Sequence, residues 1–191
     1  MLVDFLIVTP LEEERDAILT RLPTPRLLPP QEDNRYYHHA ELPARDLHGN
    51  DVRYSIVVAE QLGMGRVDAA TLTADAVRRF DPRFLLLVGI AGGIAQRVSL
   101  GDVLIADQFI DYSLEKLNEE TRDTRFQSYR PHPLLLGASK NLRGWEEKIS
   151  IEPPLPGQPK RHIGPVASGD KVIAVKSELA RLANVYSKLL G

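Results

Sequence analysis

Residues 83–90 read RFLLLVGI. An apolar run without polar alternation is the mark of a strand covered on both faces, with Val88 inside. Such a strand needs helices above and below it, so it commits the chain to an α/β architecture. The run ends at Gly89, a glycine pair comes next at Gly92 and Gly93, and a second strand-like run, DVLIADQFID, starts at residue 102. The glycines have two readings. One is a tight turn that needs positive φ; the other is a bare backbone that a ligand can approach closely.

The flanking sequence fits alternating strands and helices. LVDFLIV reads as a buried strand, and TPLEEERDAILTRL as a helix. In that helix Thr9 serves as N-cap, Pro10 takes the first helical position and Glu12 falls at N3, a capping box. PTPRLLPPQEDN is a proline-rich loop. RYYHHAEL and VRYSIVVAE read as strands joined by the turn HGND. GMGRVDAATLTADAVRRF is a glycine-led helix whose apolar stripe is Val67, Ala70, Ala74 and Val77. From Tyr112 to Gly164 the pattern loosens into a charged excursion across the sheet ends, with one helix-like segment near 133–149. PVASGDKVIAV resumes strand character, and SELARLANVYSKLL is a terminal helix capped by Ser177. The expected fold is a three-layer α/β/α sandwich with a central mixed sheet, formed by one domain over residues 1–191.

Bulk properties narrow the function. A net charge of −2 gives no reason to expect nucleic acid or a membrane as partner. The chain has no cysteine, which removes disulfides, thiolate catalysis and cysteine-based zinc sites and agrees with a cytoplasmic setting. The opening MLVDFLIVTPLEEE lacks the basic flank and cleavage site of a signal peptide, and no apolar run approaches the ~18 residues of a membrane span. His38 and His39 are neighbours on a strand and point to opposite faces, so no metal site is expected there. His132 and His162 have no evident partner. The glycines do not match the dinucleotide fingerprint, because residues 94–101 are too few for a crossover helix before the next strand. No cofactor is expected.

Four stretches come directly after strand-like runs: IVTPLEEE, LGMGRVDAA, LLLVGIAGGI with LGDVLIAD, and VASGDKVI. Together, in this order and spacing, they resemble the purine nucleoside phosphorylase and uridine phosphorylase superfamily. The methylthioadenosine/S-adenosylhomocysteine nucleosidases and their relatives fused into bacterial signalling or defence proteins are the nearest likeness. The resemblance covers the whole chain. It implies that Ala91 and Gly92 line the base and ribose pocket, beside the loop that holds Gly63 and Met64.

Among the three glutamates, Glu13 points to solvent and Glu12 is taken by the cap. Glu14 lies at the border of the apolar face formed by Leu11, Ile18 and Leu22, where a partly desolvated carboxylate suits a general base. Without the resemblance, all three read as charges on the positive end of the helix. With it, Glu14 matches the glutamate that activates water in the nucleosidases. Val172 matches a position where those enzymes stack an aromatic on adenine, and Ile173 the residue whose backbone reads the adenine edge. Asp170 reads as a turn aspartate in a segment leading to base contacts. Met64 falls near the ribose or in the core, and Arg66 binds phosphate or faces solvent. Glu14, Gly63, Ala91, Gly92 and Ile173 are expected at one edge of the sheet.

Phosphorolysis needs cations and hydroxyls around the anion. Leu85, Leu86, Leu87, Val88 and Ile90 stand where the phosphorylases place such groups. The expected activity is therefore hydrolysis of the N-glycosidic bond of a purine, adenine-type nucleoside or nucleotide. The alternatives are a phosphorylase, or a non-catalytic nucleotide-sensing module of a larger protein. The resemblance also implies a homo-oligomer, dimer or larger, with 112–164 as an interface element. In the family, the helix matching 177–190 precedes a strand with a VEMEG-like motif that binds ribose, and later an aspartate that protonates the purine. The expectation is thus a C-terminally incomplete domain, open to fusion with further domains, and inactive as residues 1–191 alone.

Overall fold

A computed structural model describes residues 1–46, 48–63, 65–117, 122–146, 149, 158–169, 182, 186 and 188–191. They fall into two units, Met1–Ile90 and Ala91–Gly191.

The first unit runs β1 (Phe5–Thr9), α1 (Glu12–Leu19), β2 (Arg26–Leu28), β3 (Tyr37–Arg45), β4 (Asp51–Glu60), α2 (Arg66–Phe80) and β5 (Phe84–Leu87). Its sheet has the order β2-β3-β4-β1-β5. β1 lies between β4 and β5 and is parallel to both, while β2, β3 and β4 pair antiparallel. The sheet is mixed and the fold is α/β. β2 falls in what reads as a proline-rich loop. It pairs only with residues 37–39 of β3, which leaves the outer edge of β3 open at Pro43, where a missing N–H costs no ladder bond.

The core joins Leu6 and Val8 of β1, Tyr37 of β3, and Val57 and Ala59 of β4 to Leu72, Ala76 and Phe80 of α2. This corrects the helix stripe read from sequence. Val67 is 81% exposed and Val77 42%, whereas Leu72 is 1% exposed. Two helical stripes were available, and the one carrying Leu72 and Phe80 removes more apolar area from water than alanines and valines can. Arg79 covers the far side of this core. Its guanidinium lies 5.0 Å from the Tyr37 and Phe80 ring centroids and pairs with Asp33 at 3.2 Å, which also accepts the Tyr37 hydroxyl.

Two further expectations are corrected. Val88 is 41% exposed and Leu87 58%, because β5 is an edge strand of the described sheet and Phe84–Leu87 pairs only with β1. Helix α1 starts at Glu12 with Leu11 as N-cap, two residues later than the capping-box reading. Thr9 stays in the sheet as the last residue of β1, where its carbonyl accepts the Gln61 amide, two residues before the N-cap. Its fully buried hydroxyl has no hydrogen-bond partner among the described residues.

The second unit runs β6 (Val103–Leu117), β7 (Arg122–Tyr129), α3 (Pro133–Asn141) and β8 (Arg161–Ser168). The strand order is β7-β6-β8, with β6–β7 antiparallel and β6–β8 parallel. Its core gathers Ile94, Ile110, Tyr112, Leu182 and Leu189. The stretch read as a loose excursion therefore contains strand residues, the antiparallel pair β6–β7, made legible only by pairing. The helix ends at Asn141 rather than near 149. It buries no residue, and Leu134 and Leu142 are exposed. Arg161 holds its C-terminal carbonyls, donating to Leu142 at 2.9 Å, as cations do at that end of a helix.

Both histidines without an evident partner have one. His132 is the N-cap of α3, its Nδ1 accepting the Leu134 amide. His162 Nε2 lies 2.7 Å from Asp102 Oδ2. Asp102 also accepts the Ser99 and Lys160 amides. These two amides, then His162, hold its carboxyl well below the usual range, at about 2. The strand expected at 165–175 begins in β8, and its continuation past Gly169, with most of the capped helix expected at 177–190, lies outside the described residues.

Candidate active site

Three parallel strands end side by side. Thr9 of β1 is in register with Glu60 of β4, and Val8 with Leu87 of β5. The segments that leave these strands therefore lie at one edge of the sheet: Gly63 after β4, α1 with Glu14 after β1, and Gly89 and Ile90 after β5. In parallel α/β sheets this carboxyl edge is where ligands bind.

Glu14 is 8% exposed. Each carboxylate oxygen takes one backbone amide: Oε2 accepts from Leu11 at 2.9 Å and Oε1 from Ile90 at 2.6 Å. Leu11 belongs to the helix start and Ile90 to the strand end, so the carboxylate is held from two elements. The N3 position assigned to Glu12 belongs to Glu14. Glu12 instead faces solvent and pairs with Arg15 at 3.0 Å. Arg15 also pairs with Asp16 and with Glu60 at the end of β4.

Gly63 and Gly89, at the strand tips, answer to space rather than to torsion. Positive φ among the described glycines occurs at Gly49, Gly65, Gly101 and Gly144, not at Gly63, Gly89, Gly92 or Gly93. A β-carbon on Gly89 would lie 2.8 Å from Glu14 Oε1 and 3.1 Å from its Cδ. One on Gly63 would meet the carboxylate of Asp68, which, like Glu14, is the third residue of its helix. One on Gly92 would meet nothing within 4 Å among the described residues.

An open cleft of about 420 Å³ lies against Glu14. Ala17, Ile18, Leu22, Val88 and Ile90 give it an apolar lining, with Glu13 and Arg21 alongside. A smaller cleft of about 230 Å³ includes Arg15, His38, Glu60 and Leu62. Burial, reinforced by Arg15, pushes the His38 pKa down.

Of the residues singled out from sequence, Glu14 and Gly63 share this edge of the first unit. Ala91 and Gly92 open the second unit and are exposed. Arg66 is the first residue of α2. Met64, Asp170, Val172 and Ile173 lie outside the described residues. The sequence reading missed Gly89 and the Leu11 and Ile90 amides as the seat of Glu14. The available signal was a glycine placed immediately after a strand that runs beside the one leading into the glutamates.

The family profile of the phosphorylase superfamily matches residues 4–189. The chain belongs to the phosphorylase superfamily. A 5'-methylthioadenosine/S-adenosylhomocysteine nucleosidase of Maridesulfovibrio salexigens is 23% identical to this superfamily member over 133 residues, 68% of the chain and 53% of that protein. The chain thus matches about half the length of that curated relative. S-adenosylhomocysteine nucleosidase from Streptococcus pyogenes, solved with 5-methylthiotubericidin, has a TM-score of 0.71 at 17% identity, covering 99% of this chain and 72% of the other. A futalosine hydrolase mutant of Helicobacter pylori has a TM-score of 0.70 at 18% identity, covering 100% and 79%. The superfamily member shares their fold. No described helix is long and apolar enough to cross a membrane.

Proposed function

We propose that this protein is a cytoplasmic nucleosidase that hydrolyses the N-glycosidic bond of a purine nucleoside or nucleotide of the adenine type. The observation that carries the reading is the buried Glu14 carboxylate, tied by two amides at the carboxyl edge of three parallel strands. A carboxylate offers about four lone-pair sites. The two amides occupy one on each oxygen and leave the others for a water. Water oxygen bonds to C1′ as the C1′–N bond breaks through an oxocarbenium-like transition state. Its proton passes to Glu14, the bonding pair leaves with the base, and the base takes up a proton from solvent water, to which Glu14 returns its own. Gly63, Met64, Ala91, Gly92, Val172 and Ile173 are proposed to line the substrate site. The nucleosidases among the relatives support the reaction type.

The apolar approach Leu85, Leu86, Leu87, Val88 and the apolar Ile90 side chain argue against phosphate as nucleophile. The test is chromatography of a purine nucleoside panel incubated with the gene product that carries this sequence, with and without phosphate. The expected result is free base and free ribosyl product at equal rates in both. Release only with phosphate would make it a phosphorylase, and binding without release a sensing module.

The reading includes self-association through the second unit, supported by the exposed Leu134 of a helix that buries no residue and by the exposed Leu142 that caps it. A monomeric mass by light scattering at micromolar concentration would reject it.

A further inference from the structure

We infer that Gly89 is a positioning residue for Glu14: its missing side chain is the space in which the carboxylate sits. The inference deepens the proposed role of Glu14, and rests on it for its kinetic arm only. The backbone at residue 89 is outside the positive-φ region, so an alanine there carries no torsional penalty. Space alone decides. A β-carbon would stand 2.8 Å from Oε1 and 3.1 Å from both Cδ and Oε2, so it meets the whole carboxylate group. Ordinary contact begins near 3.4 Å, and Oε1 has to move by roughly half an ångström to restore it.

The carboxylate has little freedom to do so. Oε1 is fastened to the amide of Ile90, the next residue along the same backbone, and Oε2 to Leu11. Retreat from residue 89 stretches the 2.6 Å bond that fixes the orientation of the group. A related close approach lies beyond β1, after β4, where bare Gly63 faces the carboxylate of Asp68 from the helix that follows it. There the acid opens α2; at Gly89 the acid is the proposed base. A misplacement of about 1 Å can cost on the order of 10² in rate, so a β-carbon at 89 is expected to act on turnover through Glu14.

The test is a double-mutant cycle in the gene product, using Gly89→Ala, Glu14→Ala and the pair. Thermal melting is read first, since it needs no activity. Gly89→Ala is expected to lower Tm, and its cost is expected to fall to about a third or less when Glu14→Ala has vacated the space. Should Gly89→Ala fail to fold, recovery of folding in the double variant is the expected result. An equal cost in both backgrounds, or no recovery, overturns the inference. Turnover is read second. Gly89→Ala is expected to lower kcat about 10- to 100-fold with KM nearly unchanged, and to add nothing to Glu14→Gln. Unchanged kcat, or full additivity with Glu14→Gln, overturns the positioning role. Coupled melting without base release from the wild type would reject the proposed reaction and leave the steric relationship standing.

Discussion

Glu14 Oε1 accepts the backbone amide of Ile90 at 2.6 Å, across 76 residues of sequence. With the Leu11 amide on the other oxygen, the group faces two donors and needs two acceptors. Glutamine offers one acceptor oxygen and one NH₂, so Glu14→Gln sets a donor against a donor. The variant is expected to lose about 1–3 kcal/mol of stability. It should also lose ~10²–10⁴ in kcat, with KM little changed. Urea titration and steady-state kinetics check the two effects separately.

The two stripes of α2 can be told apart by stability. Leu72, 1% exposed in the core with Leu6, Tyr37 and Val57, should cost about 2–5 kcal/mol as Leu72→Ala. Val77→Ala, on a half-open surface, should stay within about 0.5 kcal/mol. Comparable losses in chemical denaturation would return Val77 to the core.

Stability should fall between neutral pH and pH 5. His39 is buried and lies 3.0 Å from Ser55 Oγ; burial, then Arg26, pushes its pKa below the ordinary 6.5. His38 is shifted the same way by burial and Arg15. The unfolded chain takes up protons at these residues before the folded one does. Their stability contribution is therefore full above pH 6.5 and lost as pH drops through the folded pKa values. A paired His38→Asn and His39→Asn variant should show a flatter Tm against pH over this range.

Asp102 acts at lower pH and with the usual sign for an acid. Its pKa of about 2 lies below the ordinary 3.8, so its contribution is present above pH 4 and is lost as pH falls toward 2. Asp102→Asn should lower Tm at neutral pH and remove that part of the acid limb. An unchanged melting curve from pH 2 to 5 would contradict the clamp on Ser99 and Lys160.

Local rules read well wherever one side chain or one short pattern decides. The strands at 5–9, 37–45 and 51–60 were legible from branched apolar runs and a glycine-containing turn. Helix α2 was legible as a helix from its glycine start, and Glu14 as the one glutamate of three beside an apolar face. The β6–β7 pair was not, because residues 122–129 are charged and acquire strand character by pairing with β6.

By itself the sequence determined the α/β class, the carboxyl-edge placement of Glu14 and Gly63, and the family. These rest on runs of apolar residues and motif order, which any fold of this chain must satisfy locally. Tertiary structure decided which face of α2 is inside, since both stripes obey the helical period and only the competition for buried area separates them. It also decided the purpose of Gly89. Sequence presents a glycine as freedom of φ or as room, and here φ is ordinary. The room is filled by a carboxylate from another element, a contact that exists only once β1 and β5 lie side by side.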